Sequence, residues 1–75
     1  MPSSTNAQKK LGKAIRAGRL ALDYSQDGFA HECGLHRTYM GAVERGEKNI
    51  SLNNIVKIAT ALDIPAATLL ERAHL

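Results

Sequence analysis

Apolar residues in this 75-residue chain recur every three or four positions and nowhere alternate with polar ones. A period near 3.6 turns one face of a helix inward, whereas a half-buried strand needs a period of two. Leu11, Ile15, Gly18 and Leu22 carry the first stripe. Leu52, Ile55, Ala59 and Leu62 carry the cleanest, widened by Val56 and Ile58. Met40 and Val43 form a shorter one, and Leu69 and Leu70 anchor the last. The chain is therefore expected to be all-α.

Turn and cap residues divide these stripes into five helices. Met1 to Asn6 is polar and reads as a flexible tail, with Ser4, Thr5 or Asn6 as the first N-cap. Residues 7–75 read as one domain. Asp23 can close the first helix in a left-handed conformation. Ser25 caps a short second helix over Gln26 to Cys33, with Asp27 near its positive end, and Gly34 ends it. A third runs from about Arg37 to Arg45 and stops at Gly46. Glu47 to Ser51 is a loop, and Ser51 caps the fourth helix. Asp63 and Pro65 break that helix, and the fifth runs from about Pro65 or Ala66 to Ala73.

Composition narrows the class. Hydrophobic residues make up 44% of the chain, enough for a core and too many for a disordered protein. A domain this short buries about 60% of its unfolded surface, so oligomerisation is a common support. One cysteine permits no internal disulfide, which suits a reducing cytoplasm. No apolar run approaches a membrane span, and MPSSTNAQKK has no apolar core of a signal peptide. A soluble cytoplasmic protein without membrane contact is expected. Net charge is +3, and the first twenty residues hold Lys9, Lys10, Lys13, Arg16 and Arg19 without an acid. That cluster suits a polyanion such as nucleic acid, or is simply a solvated basic helix.

The segment HECGLH, His31 to His36, gathers two histidines, a glutamate and the cysteine. Helical zinc sites place ligands at i and i+4, as in HExxH. Here the histidines are five apart, about 140° around a helix axis, and Gly34 interrupts the helix between them. A fourth ligand is lacking, since His74 is remote, so no metal and no cofactor is expected. His31 and Cys33 diverge by about 160° on a helix, which argues against a nucleophile and its base. No phosphate-cradling Gly-rich loop or carboxylate pair appears, so no enzyme is expected. Cys33 reads as a small core residue.

CGLH reads instead as the tight turn of a helix-turn-helix unit. In such a unit the second helix lies in the major groove. The outer face of Arg37 to Arg45 carries Arg37, Thr38, Tyr39, Gly41 and Arg45 and no large aliphatic. It is either an ordinary solvated face or a base-reading one, since Arg can hold guanine bidentately and Thr can bond a base or touch a thymine methyl.

The run from Ser25 to Leu70 resembles the lambda-repressor-like (Xre-type) helix-turn-helix family. The matching positions are Ser25, Gln26, Phe29, Ala30, Gly34, Leu35, Glu44, Gly46, Ser51, Leu52, Ala59 and Leu62. With the first helix included the resemblance covers about residues 8 to 72. HRTY followed by ERG in so short a chain is also similar to the controller proteins of restriction–modification systems.

The resemblance implies a five-helix DNA-binding fold with its helix-turn-helix at helices 2 and 3. It implies a regulator of transcription that binds double-stranded DNA as a homodimer on a palindromic operator, its own promoter among the candidates. Arg37, Thr38, Tyr39, Gln26 and Ala42 would read bases, Ala42 through a thymine methyl, with phosphate as the alternative contact for Gln26 and Tyr39. His36 would cap helix 3 and bond phosphate. Lys48, Asn49, Ser51, Asn53 and Arg45 would also hold phosphates. Arg19 and Glu44 would form a structural ion pair, and Ile64, Leu70 and Leu75 would face a second copy.

Three positions depart from the family pattern. Gly28 stands where Glu is usual, Asp23 where Gly is usual, and Gly41 interrupts helix 3; each helical glycine costs about 1 kcal/mol relative to Ala. A second functional class is an antitoxin-type protein, which shares this domain and binds a toxin partner besides its promoter. The short tail after Arg72 leaves little room for a toxin-binding segment. RNA is disfavoured, because aromatics are 4% and offer no stacking platform.

Overall fold

The computed structural model describes the backbone of residues 2–75 and the side chains of residues 6–75. Five helices follow one another: α1 (Pro2–Ala21), α2 (Gln26–Cys33), α3 (Arg37–Glu44), α4 (Leu52–Ala61) and α5 (Ala66–Arg72). Among the described residues there is no strand, and no helix is long and apolar enough to cross a membrane. Helix α1 packs on α3 and α5, α2 on α3 and α4, and α4 on α5.

The first helix starts earlier than expected. Pro2 suits a first turn, and no later Pro interrupts residues 3–6, so the backbone expected as a tail is helical. The N-cap expected among Ser4, Thr5 and Asn6 is therefore inside α1; Met1 lies outside the described residues.

The stripes close over one core. Ile15, Phe29, Met40, Val43, Ile58 and Leu69 are completely enclosed, with Leu11, Ala30, Cys33, Ala59, Leu62 and Ala73 around them. Each large aliphatic or aromatic side chain buried this way contributes about 1.5–3 kcal/mol. Two stripes are corrected at their ends. Leu22 lies past the end of α1 and is half exposed. Leu52, the first residue of α4, is 71% exposed, and Val56 one turn later is also exposed. The buried face of α4 is instead Ile55, Ile58, Ala59 and Leu62, so Ile58 sits at its centre.

All five helices end alike. Asp23, Gly34, Gly46, Asp63 and His74 each adopt a positive φ, between 60° and 78°. The next N–H returns to the carbonyl five residues back. The pairs are Tyr24 to Arg19 at 3.1 Å, Leu35 to Ala30 at 2.9 Å, Glu47 to Ala42 at 2.9 Å, Ile64 to Ala59 at 3.0 Å and Leu75 to Leu70 at 3.0 Å. This terminal bond satisfies a carbonyl that the helix leaves open. Glycine adopts that conformation freely at two of the ends; two aspartates and a histidine are held in it at the others.

Gly12 sets the distance between α1 and α3. A Cβ there would lie 2.4 Å from the Val43 carbonyl oxygen and 2.8 Å from that of Glu44. The helices can approach this closely only because position 12 carries no side chain.

Candidate nucleic-acid interface

The α2–turn–α3 corner is built from local bonds. Ser25 Oγ accepts from the Gly28 N–H at 2.9 Å and starts α2. This single cap bond forms without the Glu that would complete a capping box. Gly34, at φ 71°, turns the chain, and His36 starts α3 by accepting the Thr38 N–H on Nδ1 at 3.1 Å. An acceptor Nδ1 has no proton, so the neutral ring carries its hydrogen on Nε2. Nε2–H is thus free to donate outward. His31 is exposed and Cys33 buried, so the residues of HECGLH do not converge.

Beneath this corner, Arg19 of α1 meets Glu44 of α3. Arg19 Nε donates to Glu44 Oε2 at 2.8 Å and Nη2 to Oε1 at 3.0 Å. Arg19 Nη1 donates to the Tyr24 carbonyl oxygen at 2.9 Å, so the same guanidinium also holds the entry to α2. The hydrogen bond and charge of Glu44 hold the guanidinium pKa above its ordinary value, against the opposing effect of burial. Gln26 Nε2 donates to Glu44 Oε1 at 3.1 Å. A carboxylate only accepts, which fixes the amide with its oxygen turned away from Glu44.

Two shallow concavities flank α3. Ser25, Gln26, Asp27, Arg37, Thr38, Gly41 and Arg45 line the first. His36, Thr38, Tyr39, Ala42, Arg45, Glu47 and Lys48 line the second. Thr38 and Arg45 lie on both, on the ridge between them. Gln26, Arg37 and Thr38 are all exposed and share the first surface.

Several expected site residues differ from the sequence expectation. Ala42 is buried at 6% exposure, because the turn at Gly46 folds the chain back and the Glu47 N–H bonds the Ala42 carbonyl. Its methyl floors the second concavity instead of projecting. Gly41 is buried too; a Cβ would sit 3.2 Å from Arg45 Nη1 and 3.3 Å from Gln26 Oε1, so those side chains cover it. Tyr39 is half-buried, and its hydroxyl accepts from Asn54 Nδ2 at 3.2 Å. Its ring is tied to the start of α4, while its O–H proton stays free to donate. Arg45 is exposed but engaged, donating from Nε and Nη2 to Glu47 at 3.0 and 3.1 Å. This pairing holds the Glu47 carboxyl below its ordinary range.

The remaining phosphate candidates are exposed and spread out. Lys48 and Asn49 stand in the loop after α3. Ser51 Oγ accepts the Asn54 N–H at 3.2 Å and starts α4, and Asn53 follows on its exposed first turn. Leu70 and Leu75 line one apolar groove with Leu11, Ile50 and Ile55. Ile64 is not brought there; it packs against the core between α4 and α5.

Sequence reasoning missed Asn54, Gly12 and the carboxylate partners of Arg37 and Arg45. Asp27 accepts from Arg37 Nη1 at 3.4 Å, and Glu47 from Arg45. An unexplained glycine inside a helical stripe was the only signal for Gly12.

A helix-turn-helix family model matches residues 15–69. The control protein C.BamHI of Bacillus amyloliquefaciens is 42% identical over 69 residues, spanning 91% of this chain and 85% of that protein. The control protein C.SmaI of Serratia marcescens is 40% identical over 65 residues, spanning 87% and 77%. Among solved structures, the restriction-modification controller protein C.AhdI from Aeromonas hydrophila superposes with a TM-score of 0.80 at 48% identity, covering 83% of this chain and 94% of that one.

Proposed function

The chain belongs to the helix-turn-helix family of transcriptional regulators, which are not enzymes, and from that premise we propose that it binds double-stranded DNA sequence-specifically as a homodimer on a palindromic operator. Its role is that of a cytoplasmic restriction–modification controller that acts on its own promoter. Residues 7–75 make up the DNA-binding domain. One observation carries the reading: Arg37, Thr38 and Gln26 stand exposed on one concave surface, where Gln26 is held by Glu44 of the buried Arg19–Glu44 pair.

Helix α3 enters the major groove. Arg37 takes guanine O6 and N7, Thr38 bonds an adjacent base edge or methyl, and Gln26 meets a base or phosphate from the start of α2. Tyr39 and Ala42 serve the wall and floor of the second concavity, where Tyr39 donates to phosphate. His36 Nε2–H, Lys48, Asn49, Arg45, Ser51 and Asn53 hold backbone phosphates on either side. One recognition helix reads few base pairs. Two copies related by a two-fold axis read half-sites about one DNA turn apart. Leu70 and Leu75, sharing an apolar groove, provide the surface for the second copy.

Fluorescence anisotropy tests this on a duplex from the gene's own upstream region against a scrambled duplex. The reading expects tight binding that prefers the natural duplex, at two chains per operator. With about six phosphates neutralised, log K falls against log salt with a slope near −5. Equal, weak binding to both duplexes, repeated over the whole upstream region, contradicts it.

A further inference from the structure

Arg37 does not stand alone on the surface it shares with Gln26 and Thr38. Its Nη1 lies 3.4 Å from Oδ2 of Asp27, in the first turn of α2. Asp27 is the one acid among the described residues lining that concavity. The two side chains are 71% and 63% exposed, so their pairing adds little to folding stability. The carboxylate nevertheless stands where a polyanion would arrive, at a cost to the affinity for any duplex.

Resting on the DNA-binding reading, we infer that Asp27 is a specificity-determining residue: it positions Arg37 for a base and penalises its use on phosphate. A guanidinium has five N–H donors in a planar fork. Asp27 engages that fork through Nη1 alone and leaves other donors for guanine O6 and N7. On the correct base pair Arg37 bonds the base and keeps Asp27, so the carboxylate stays paired. On an incorrect one Arg37 must swing to a phosphate and abandon Asp27, whose charge then faces the duplex uncompensated. Discrimination thus comes from a repulsive group as well as an attractive one.

Glu47 supplies the comparison. It occupies the Nε and Nη2 edge of Arg45, an arginine assigned to phosphate and not to a base. Neutralising Glu47 removes the same charge from the same side of the protein without touching Arg37.

The test is selection from a pool of duplexes randomised over about 20 base pairs, two half-sites one turn apart. Wild type, Asp27→Asn, Asp27→Glu, Glu47→Gln, Arg37→Ala and the Asp27→Asn/Arg37→Ala double variant are compared. Anisotropy then measures each protein on the enriched duplex and on the unselected pool. Arg37→Ala marks the base pair that Arg37 reads. Asp27→Asn is expected to bind the pool ~10-fold tighter and the enriched duplex within ~3-fold of wild type, flattening the preference at that marked base pair. Asp27→Glu restores the preference. Glu47→Gln strengthens both duplexes alike, and in the Arg37→Ala background Asp27→Asn does the same. Equal strengthening of both duplexes by Asp27→Asn, with the marked preference intact, overturns the inference and leaves the DNA-binding reading standing. A wild-type protein that enriches no sequence overturns that reading, and the inference with it.

Discussion

Arg19 and Glu44 face each other through two N–H···O bonds of 2.8 and 3.0 Å, with their side chains 8% and 3% exposed. The pair joins α1 to the end of α3 and presents Glu44 Oε1 to Gln26. Removing one partner leaves a buried charge without compensation, which costs about 3–5 kcal/mol. Arg19→Ala and Glu44→Ala should each lower the unfolding free energy measured in urea by that amount. Replacing both, as Arg19→Met with Glu44→Leu, should recover much of it. Single variants that unfold like wild type would show that the pair does not hold the corner.

Gly12→Ala tests the close approach of α1 to α3. Its methyl would meet the Val43 carbonyl oxygen at 2.4 Å, a backbone atom that no side-chain rotation relieves. We expect a loss of about 1–3 kcal/mol in urea denaturation, the usual penalty of overpacking. The same substitution at Gly34 fails for another reason, since its space is open but its φ is 71°.

Asp23 and Asp63 occupy the left-handed position that ends α1 and α4, at φ 61° and 60°. Asp23→Gly and Asp63→Gly should each raise stability by about 0.5–1 kcal/mol, because relief of the left-handed strain outweighs the added unfolded-state entropy. Thermal melts decide it. A fall in Tm at both sites would mean that the aspartate side chains stabilise these turns.

Burial pushes the Cys33 thiol up to about 11, with the nearby Glu32 charge adding to the effect. The fold therefore favours the neutral thiol. Its contribution is complete below the ordinary thiol range and is lost as pH rises through about 11. Iodoacetamide should modify Cys33 slowly in the native protein at neutral pH and rapidly in urea. Fast native modification would contradict its placement in the core.

Most of the architecture was legible in local chemistry. Ser25, Gly34, His36 and Ser51 mark helix ends through bonds that span two to five residues, and α2 runs over the expected residues. What was not legible depends on contacts between distant segments. Arg37 and Asp27 are ten residues apart, and their pairing arises only once the turn brings the two helix starts together. Ala42 has the right period for an outward face, yet the returning loop covers it. Leu52 fits the apolar stripe by spacing, but at the first turn of α4 it projects beyond the core.

In the proposed complex α3 reads bases while the loop after it holds the backbone. The most direct measurement compares Arg37→Ala with Lys48→Ala by anisotropy, on an operator duplex and a full set of its single-base variants. Arg37→Ala should lose about 1–3 kcal/mol of discrimination at one base pair in each half-site. Lys48→Ala should weaken every duplex alike and reduce the salt slope by about one. An Arg37→Ala protein with wild-type affinity and unchanged preference at every position would contradict the placement of α3 in the groove.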